Sequence, residues 1–288
     1  MVTFLDIVIA GLLLGGLYAL IAMGLSLQYG VARVLNVSHG EFIMLAGMTT
    51  WTLYTVLGIN PLIAVVICGP VAFIIGFALH RTLFKKLFST SVNMGAYEGS
   101  SMLAAFGLMF VIQNLALIIW GSEIRSYSYL MQPVDIAGAI FGARRLVTLG
   151  FAVAIGVIFY IFLARTRMGK AIRAAAQDPT TAGLMGVNIN NVLAICFGFG
   201  AAMAGVAGVL ISMCYPVHGV MGLEYTVIAI IVVVLGGLGS IPGSFIGGFI
   251  LGIIGSIVTY FEPGLALAAY YVIFVILLLV RPKGIMGK

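Results

Sequence analysis

Charge is what this 288-residue sequence has least of: 14 basic and 8 acidic side chains make up 8% of it, while 62% of its residues are hydrophobic. Soluble domains carry about 25% charged residues. So sparse a set cannot cover the surface of a soluble globule, which excludes a soluble enzyme or regulatory domain. Cysteine is scarce too. Cys68, Cys196 and Cys214 lie in or beside apolar stretches, an odd number that builds neither a disulfide framework nor a metal cluster. The start of the chain lacks a basic region and a small-residue cleavage site, so its first apolar stretch is expected to stay as a span. No linker, low-complexity tract or soluble domain interrupts the sequence, and residues 1–288 read as one membrane domain. The net charge of +6 is scattered between apolar segments, a pattern that does not suit nucleic acid.

Glycine is abundant instead: 38 residues, about one in eight against a usual share near 7%. Glycine at that level suits helices that pack closely in lipid and break on purpose. A membrane core of roughly 30 Å is crossed by about 20 helical residues. Apolar segments fall at 4–28, 41–57, 61–80, 101–120, 146–164, 191–213, 224–235, 244–261 and 264–280, giving eight or nine crossings in an all-α polytopic fold with broken helices. The first and seventh segments lead into glycine-rich breaks, so either is a candidate for a broken or re-entrant helix. With the N-terminus outside, Arg33, Arg81, Lys85, Lys86, Arg165, Arg167, Lys170, Arg173, Arg281, Lys283 and Lys288 fall inside. Only Arg125, Arg144 and Arg145 fall outside, and the C-terminus is cytoplasmic. The longest outer stretch, 121–145, carries Glu123, Arg125, Tyr127, Tyr129 and Asp135, and reads as a polar loop that is also able to meet an external partner.

Three sites carry information. The inner loop, about 165–190, holds an Ala-rich basic helix followed by Asp178 as N-cap and Pro179 at the first helical position. Gly186 supplies a left-handed stop. The helix between them, 179–185, has only about two turns and is marginal alone in water. It is expected to dock through Leu184 and Met185, either on a partner or on the membrane surface. Next, residues 29–42 interrupt the apolar pattern. Ser38 followed by Glu41 fits a capping box opening the second segment, and Asn36, Ser38, His39 and Gly40 are either capping chemistry or part of a solute path. His39 has no companions at metal-ligand spacing. Finally, Gly236, Gly237, Gly239 and Pro242 break the chain within 232–252. Gly239, Gly243 and Gly247 recur every fourth residue, as do Gly248 and Gly252, a spacing that admits close helix contact. With no preceding strand and no Lys-Ser/Thr, these glycines are not a phosphate loop.

Each terminal third runs apolar segment, break, two apolar segments, then arginine, ending Leu79-His80-Arg81 and Leu279-Val280-Arg281. Two interrupted segments at corresponding positions point to a transport site. No Asp, Glu, Lys or Arg falls in the centre of a span, so energy is expected to enter from outside the chain rather than by an ion-coupled carrier mechanism. Gln113 and Asn114 are the main mid-span amides. No Ser/His/Asp set or metal cluster supports an intramembrane enzyme.

Taken in order, Gly11-Leu-Leu-Leu-Gly-Gly-Leu-Tyr-Ala-Leu20, Leu35-Asn-Val-Ser-His-Gly40, Met44-Leu-Ala-Gly47, Arg167-Met-Gly-Lys-Ala-Ile-Arg173, Gly183-Leu-Met-Gly-Val-Asn188, Ala202-Met-Ala-Gly-Val-Ala-Gly-Val-Leu210, Val234-Leu-Gly-Gly-Leu-Gly-Ser-Ile-Pro-Gly243 and Arg281-Pro-Lys-Gly284 cover nearly the whole chain. This set resembles the branched-chain amino-acid ABC permease family, the Liv-type inner-membrane subunits of H type. The resemblance implies an ABC importer permease in a bacterial or archaeal cytoplasmic membrane, non-enzymatic, paired with a second related permease. It further implies two cytoplasmic ATPases that hold the ATP and Mg, and a periplasmic or lipid-anchored solute-binding protein. Arg173, Asp178, Pro179, Leu184, Met185 and Gly186 would then serve ATPase coupling, and Asn36, Ser38, His39, Gly40, Gly236, Gly237 and Gly239 the substrate path. Related members import urea, amides or aromatic and short carboxylic acids. Glu224-Tyr225 departs from amino-acid importers, which often carry a lysine ahead of this break.

Overall fold

A computed structural model describes residues 2–136, 139–281 and 283–287. Met1, Pro282 and Lys288, and with them part of the Arg281–Gly284 motif and one inner lysine, lie outside the described residues. The chain is nearly all helix: α1 Val2–Ala32, α2 His39–Leu57, α3 Pro61–Leu79, α4 Lys85–Thr90, α5 Met94–Trp120, α6 Ala143–Arg165, α7 Arg167–Gln177, α8 Pro179–Leu184, α9 Ile189–Cys214, α10 Gly222–Gly236, α11 Ile241–Phe261 and α12 Ala266–Val280. A π-helical turn, His80–Phe84, joins α3 to α4.

The exception to the all-α expectation is an antiparallel pair in the outer stretch, β1 Pro133–Ile136 and β2 Ala139–Gly142, with Val134 facing Phe141 in register. Phe141 is buried, and this tucked aromatic pins the pair to the helices. The rest of that stretch is also tied down. Arg125 and Val217 exchange backbone hydrogen bonds of 2.8 Å, Tyr127 and Ser212 share one of 2.9 Å, and Tyr129 donates to Asn60 Oδ1 at 2.8 Å.

Among the described residues, seven helices are long and apolar enough to cross a membrane. The two segments short of that standard are α2, which opens on His39 and Glu41 and carries four threonines, and α10, whose 15 residues span only about 22 Å. Contrary to the broken-helix expectation for the first segment, α1 runs unbroken for 31 residues. The break comes after it, where Arg33 takes a left-handed φ of 53° and the chain turns back.

Glycine decides which helices meet. A methyl group on Gly11 would lie 2.8 Å from Ile253 Cα, and one on Gly15 would lie 2.7 Å from Phe249 Cα. From the other side, Gly248 and Gly252 face the backbones of Ala19 and Gly15, so α1 and α11 are in direct backbone contact. The second set, Gly243 and Gly247, faces Gly236 at the end of α10. The two small-residue spacings therefore serve two opposite faces of α11. Helix α9 lies at the centre, 83% buried over its span, and packs on α1, α2 and α3, whereas α12 is 6% buried and faces outward. The terminal thirds pack reciprocally: the first helix of one, α1, lies on the second of the other, α11, while α10 lies on α2.

Candidate functional site

The helix ends separate into two faces. Arg33, Arg81, Lys85, Lys86, Arg165, Arg167, Lys170, Arg173, Arg281 and Lys283 sit at or beyond helix ends on the face that carries α7 and α8. Arg125, Arg144 and Arg145 sit at the opposite face.

The α7–α8 loop is built as the sequence implies. Thr166 opens α7 by accepting from the Gly169 amide at 3.0 Å. The Asp178 carboxylate then caps α8, accepting from the amides of Thr180 at 2.9 Å and Thr181 at 3.2 Å and from the Thr181 hydroxyl. These bonds, the Thr181 hydroxyl first among them, hold its carboxyl below the usual carboxylate range. Pro179 occupies the first helical position, and Gly186 turns the chain at φ 88°. Ala182 is buried beneath α8, while Leu184 and Met185 are 84% and 82% exposed. Arg173 does something the sequence did not suggest. It donates to the Leu163 carbonyl at 2.6 Å and to the Ala164 carbonyl at 3.3 Å, closing the C-terminal end of α6. It ties α7 to the end of α6.

The polar side chains that follow Leu35 in the first break are buried. Asn36, Ser38 and His39 are at 0% exposure and Glu41 at 1%. The expected capping box is absent: Ser38 makes no side-chain cap and neither Glu41 oxygen has a hydrogen-bond partner. Asn36 has taken the role. Its Oδ1 accepts from the Ser38 amide at 3.2 Å and the Ser38 hydroxyl at 2.7 Å, and its Nδ2 donates to Gln28 Oε1 at 3.2 Å. Gln28 in turn donates to the Phe197 carbonyl on α9 at 3.1 Å. His39 Nε2 bonds to the Ile21 carbonyl at 3.1 Å. Ile21 stands eleven residues before the end of α1, so α2 begins about 16 Å inside that end. Glu41 is carried into the protein interior with the first turn of α2, at the end of that segment and not at its centre.

The second break meets the first. Gly30 lies against Gly239, and Gly40 lies so close to the Gly222 carbonyl that no side chain fits. The Gly40 amide donates to Thr226 Oγ1 at 2.8 Å, and that hydroxyl lies 3.0 Å from the Val37 carbonyl. Gly237 and Gly239 take φ of 103° and 80°, closed to most side chains. Residues 284–287 pack on this break. The amides of Ile285 and Met286 donate to the carbonyls of Leu235 and Gly236 at 2.9 and 3.0 Å, satisfying the end of α10. The only signal for this was Gly284, whose φ of 74° lets the tail lie on Gly237. The two breaks thus touch through Gly30 and Gly239, whereas Asn36, Ser38, His39 and Gly40 pack on α1 and the start of α10, and Gly236 and Gly237 at the other end of α10 pack on α11 and on the tail. A cavity of about 550 Å³ lies elsewhere, on the face opposite α8, and is lined by none of them.

The chain matches, over residues 7–281, the family model described as the permease component of branched-chain amino acid transport systems. A high-affinity branched-chain amino acid transport system permease protein, LivH of Salmonella typhimurium, is 32% identical, the match covering 99% of this chain and 96% of the relative. The corresponding BraD protein of Pseudomonas aeruginosa is 29% identical over the same shares. The ribose import permease protein RbsC of Escherichia coli is 25% identical, over 81% of this chain and 72% of its own length. Long apolar helices joined by a capped, outward-facing loop, glycine-built helix crossings and a match along almost the entire sequence place this chain in the family of branched-chain amino acid ABC transporter permeases.

Proposed function

We propose that the chain translocates small neutral amino acids, branched-chain ones foremost, inward across a bacterial or archaeal cytoplasmic membrane. It works beside a second related permease, above two ATPases that hold the ATP and Mg, and below an extracytoplasmic solute-binding protein. The face carrying α7 and α8 is cytoplasmic, as is the C-terminus, and the N-terminus is outside. The observation that carries this reading is the pair Leu184 and Met185. Two large apolar side chains stand outward on a short helix whose every other feature holds it in place. A rigid apolar knob beyond the membrane fits a groove on a soluble partner.

Force applied at α8 has a route inward. α7 is clamped to α6 through Arg173, and Asn188 caps α9 by accepting from the Asn191 amide at 3.1 Å. Helix α9 then bears on α1, α2 and α3. The polar cluster of Asn36, Ser38, His39 and Gly40 at one end of α10, and the glycine break of Gly236, Gly237 and Gly239 at the other, are where the two terminal thirds rearrange to open the path to one side and then the other. The test is purification of the tagged chain from native membranes with identification of subunits, ATPase assay and uptake of labelled leucine. Recovery of a second permease with ATPases is expected, and Leu184→Asp combined with Met185→Asp should shed the ATPases. Recovery of the chain alone, still moving solute in liposomes, would overturn the coupling reading in favour of a stand-alone carrier. Uptake of urea, an amide or a carboxylic acid in place of leucine would reassign the solute.

A further inference from the structure

The 550 Å³ cavity on the face opposite α8 lies between the first half of α1, the start of α10, the end of α11 and the start of α12. Its volume is that of a small-molecule site. Asp6, Ala10, Leu14 and Tyr18 line it at every fourth residue, so it follows one stripe of α1 for about 18 Å. The lining changes character along that stripe. Three ionisable side chains, Asp6, Arg145 and Glu224, contribute to it, and among the described residues none of them makes a hydrogen bond or ion pair. Leu14 and Ile228 give an apolar wall. Tyr18 and Tyr270, both buried and 3.2 Å apart at their hydroxyls, close the inner end.

We infer that this cavity is a binding site for the zwitterion of an aliphatic amino acid, with Arg145 receiving the carboxylate, Asp6 and Glu224 the ammonium, and the Leu14–Ile228 wall the hydrocarbon side chain. The inference rests on the reading of the chain as an amino-acid permease and says where the solute pauses within one subunit. The charge pattern selects the ligand class. A guanidinium binds a carboxylate with two parallel hydrogen bonds, and the two acids supply acceptors for an ammonium. A simple anion would meet both carboxylates, and a sugar would leave all three charges unmatched. Glu224 thereby gains a role that its departure from the lysine of related importers left open.

The same pair of charges occurs in a phosphatidylethanolamine headgroup, so the experiment must separate the two sources. The complete transporter is reconstituted in nanodiscs of phosphatidylglycerol alone, in a Cys214→Ser background that leaves only the buried Cys68 and Cys196. Thr259→Cys, on the cavity lining, reports occupancy through its rate of labelling by a membrane-impermeant maleimide. Ala266→Cys is the second reporter, used wherever the first does not assemble. L-leucine is expected to slow labelling at least tenfold, leucinamide and 4-methylpentanoate are not, and Arg145→Gln should remove the protection. Absence of protection by leucine in a preparation that transports leucine overturns the site and leaves the importer reading intact. A preparation that carries no leucine at all overturns both. Protection that appears only when phosphatidylethanolamine is added assigns the cavity to lipid and overturns the inference.

Discussion

Segment 33–41 buries Asn36, Ser38, His39 and Glu41 almost completely, whereas segment 178–186 holds Leu184 and Met185 outward at 84% and 82% exposure. Both reverse the ordinary rule of burial, and they do so for opposite reasons. The first segment is internally complete apart from the Glu41 carboxyl and the Nδ1 of His39: Asn36 answers Ser38 and Gln28, His39 Nε2 answers Ile21, and Thr226 answers Gly40. Polar groups there take the place that water would have, as buried backbone near a membrane core requires. The second segment is complete in its polar groups and incomplete in its apolar ones, because its cap, proline and left-handed glycine leave two large side chains with nothing to cover them. A buried polar cluster that satisfies itself belongs to the fold. An exposed apolar pair on a rigid support belongs to an interface.

The largest effect that would test this division is at Gly40. A side chain there has to displace the backbone of Gly222 and the Thr226 hydroxyl. Gly40→Val is expected to cost at least the upper end of the roughly 1–3 kcal/mol typical of overpacking, and to abolish recovery of folded protein by size-exclusion chromatography in detergent. Gly237→Leu should behave alike, because the position combines a φ of 103° with contact against Gly287. By contrast, Leu184→Asp with Met185→Asp should leave the melting temperature of the isolated permease nearly unchanged, since exposed substitutions stay within about 0.5 kcal/mol. A large fall in melting temperature for that pair would place α8 in the core and dissolve the contrast.

Asn36→Leu comes next. It leaves Gln28 and Ser38 each short of a partner in the interior, at about 1–3 kcal/mol for a buried group left unsatisfied. Asn36→Asp should retain the acceptor for Ser38 but place a buried carboxyl against Gln28 Oε1, where it must either be protonated or stand as an unpaired charge. Thermal unfolding in detergent reads both. Equal stability of Asn36→Leu and the parent would show that the polar joint is hydrated from a path and does not satisfy itself, which moves these residues from fold to function.

The parts legible in the sequence are those set by local chemistry. Asp178, Pro179 and Gly186 declared a short helix because capping, a fixed φ and a left-handed stop act within a few residues. Gly248 and Gly252 declared a close crossing, though not its partner α1. What stayed hidden depends on how remote segments meet. The Ser38–Glu41 spacing suggested a capping box, yet Asn36 intercepts Ser38 because α9 brings Phe197 to Gln28 and fixes the whole chain of bonds. The depth of Glu41 follows from α2 starting beside Ile21, which no run of apolar residues reveals. The clasp of 284–287 on α10 and the cavity joining Asp6, Arg145 and Glu224 each collect residues that are far apart in the chain.

The smallest effect expected lies in the exposed segment and sharpens the comparison from its other side. The Asp178 cap works as a carboxylate, and its hydrogen bonds to Thr181 and Thr180 hold the folded-state pKa below the usual value, which is about 4 for an aspartate. A depressed folded pKa means that the cap's contribution is fully present above the unfolded value and is lost as pH falls through the folded one. Hydrogen exchange at the Thr180 and Thr181 amides, corrected for its intrinsic pH dependence, should therefore lose protection only in acid below the ordinary aspartate range. Asp178→Asn, which keeps an acceptor and cannot titrate there, should show protection independent of pH across that interval. The joint at 33–41 has no carboxylate among its working hydrogen bonds, so the amides of Ser38 and Gly40 should stay protected throughout. Loss of protection at both places over the same pH interval would mean that the loop and the joint open as one unit, and the division between a self-sufficient interior and a partner-seeking surface would fail.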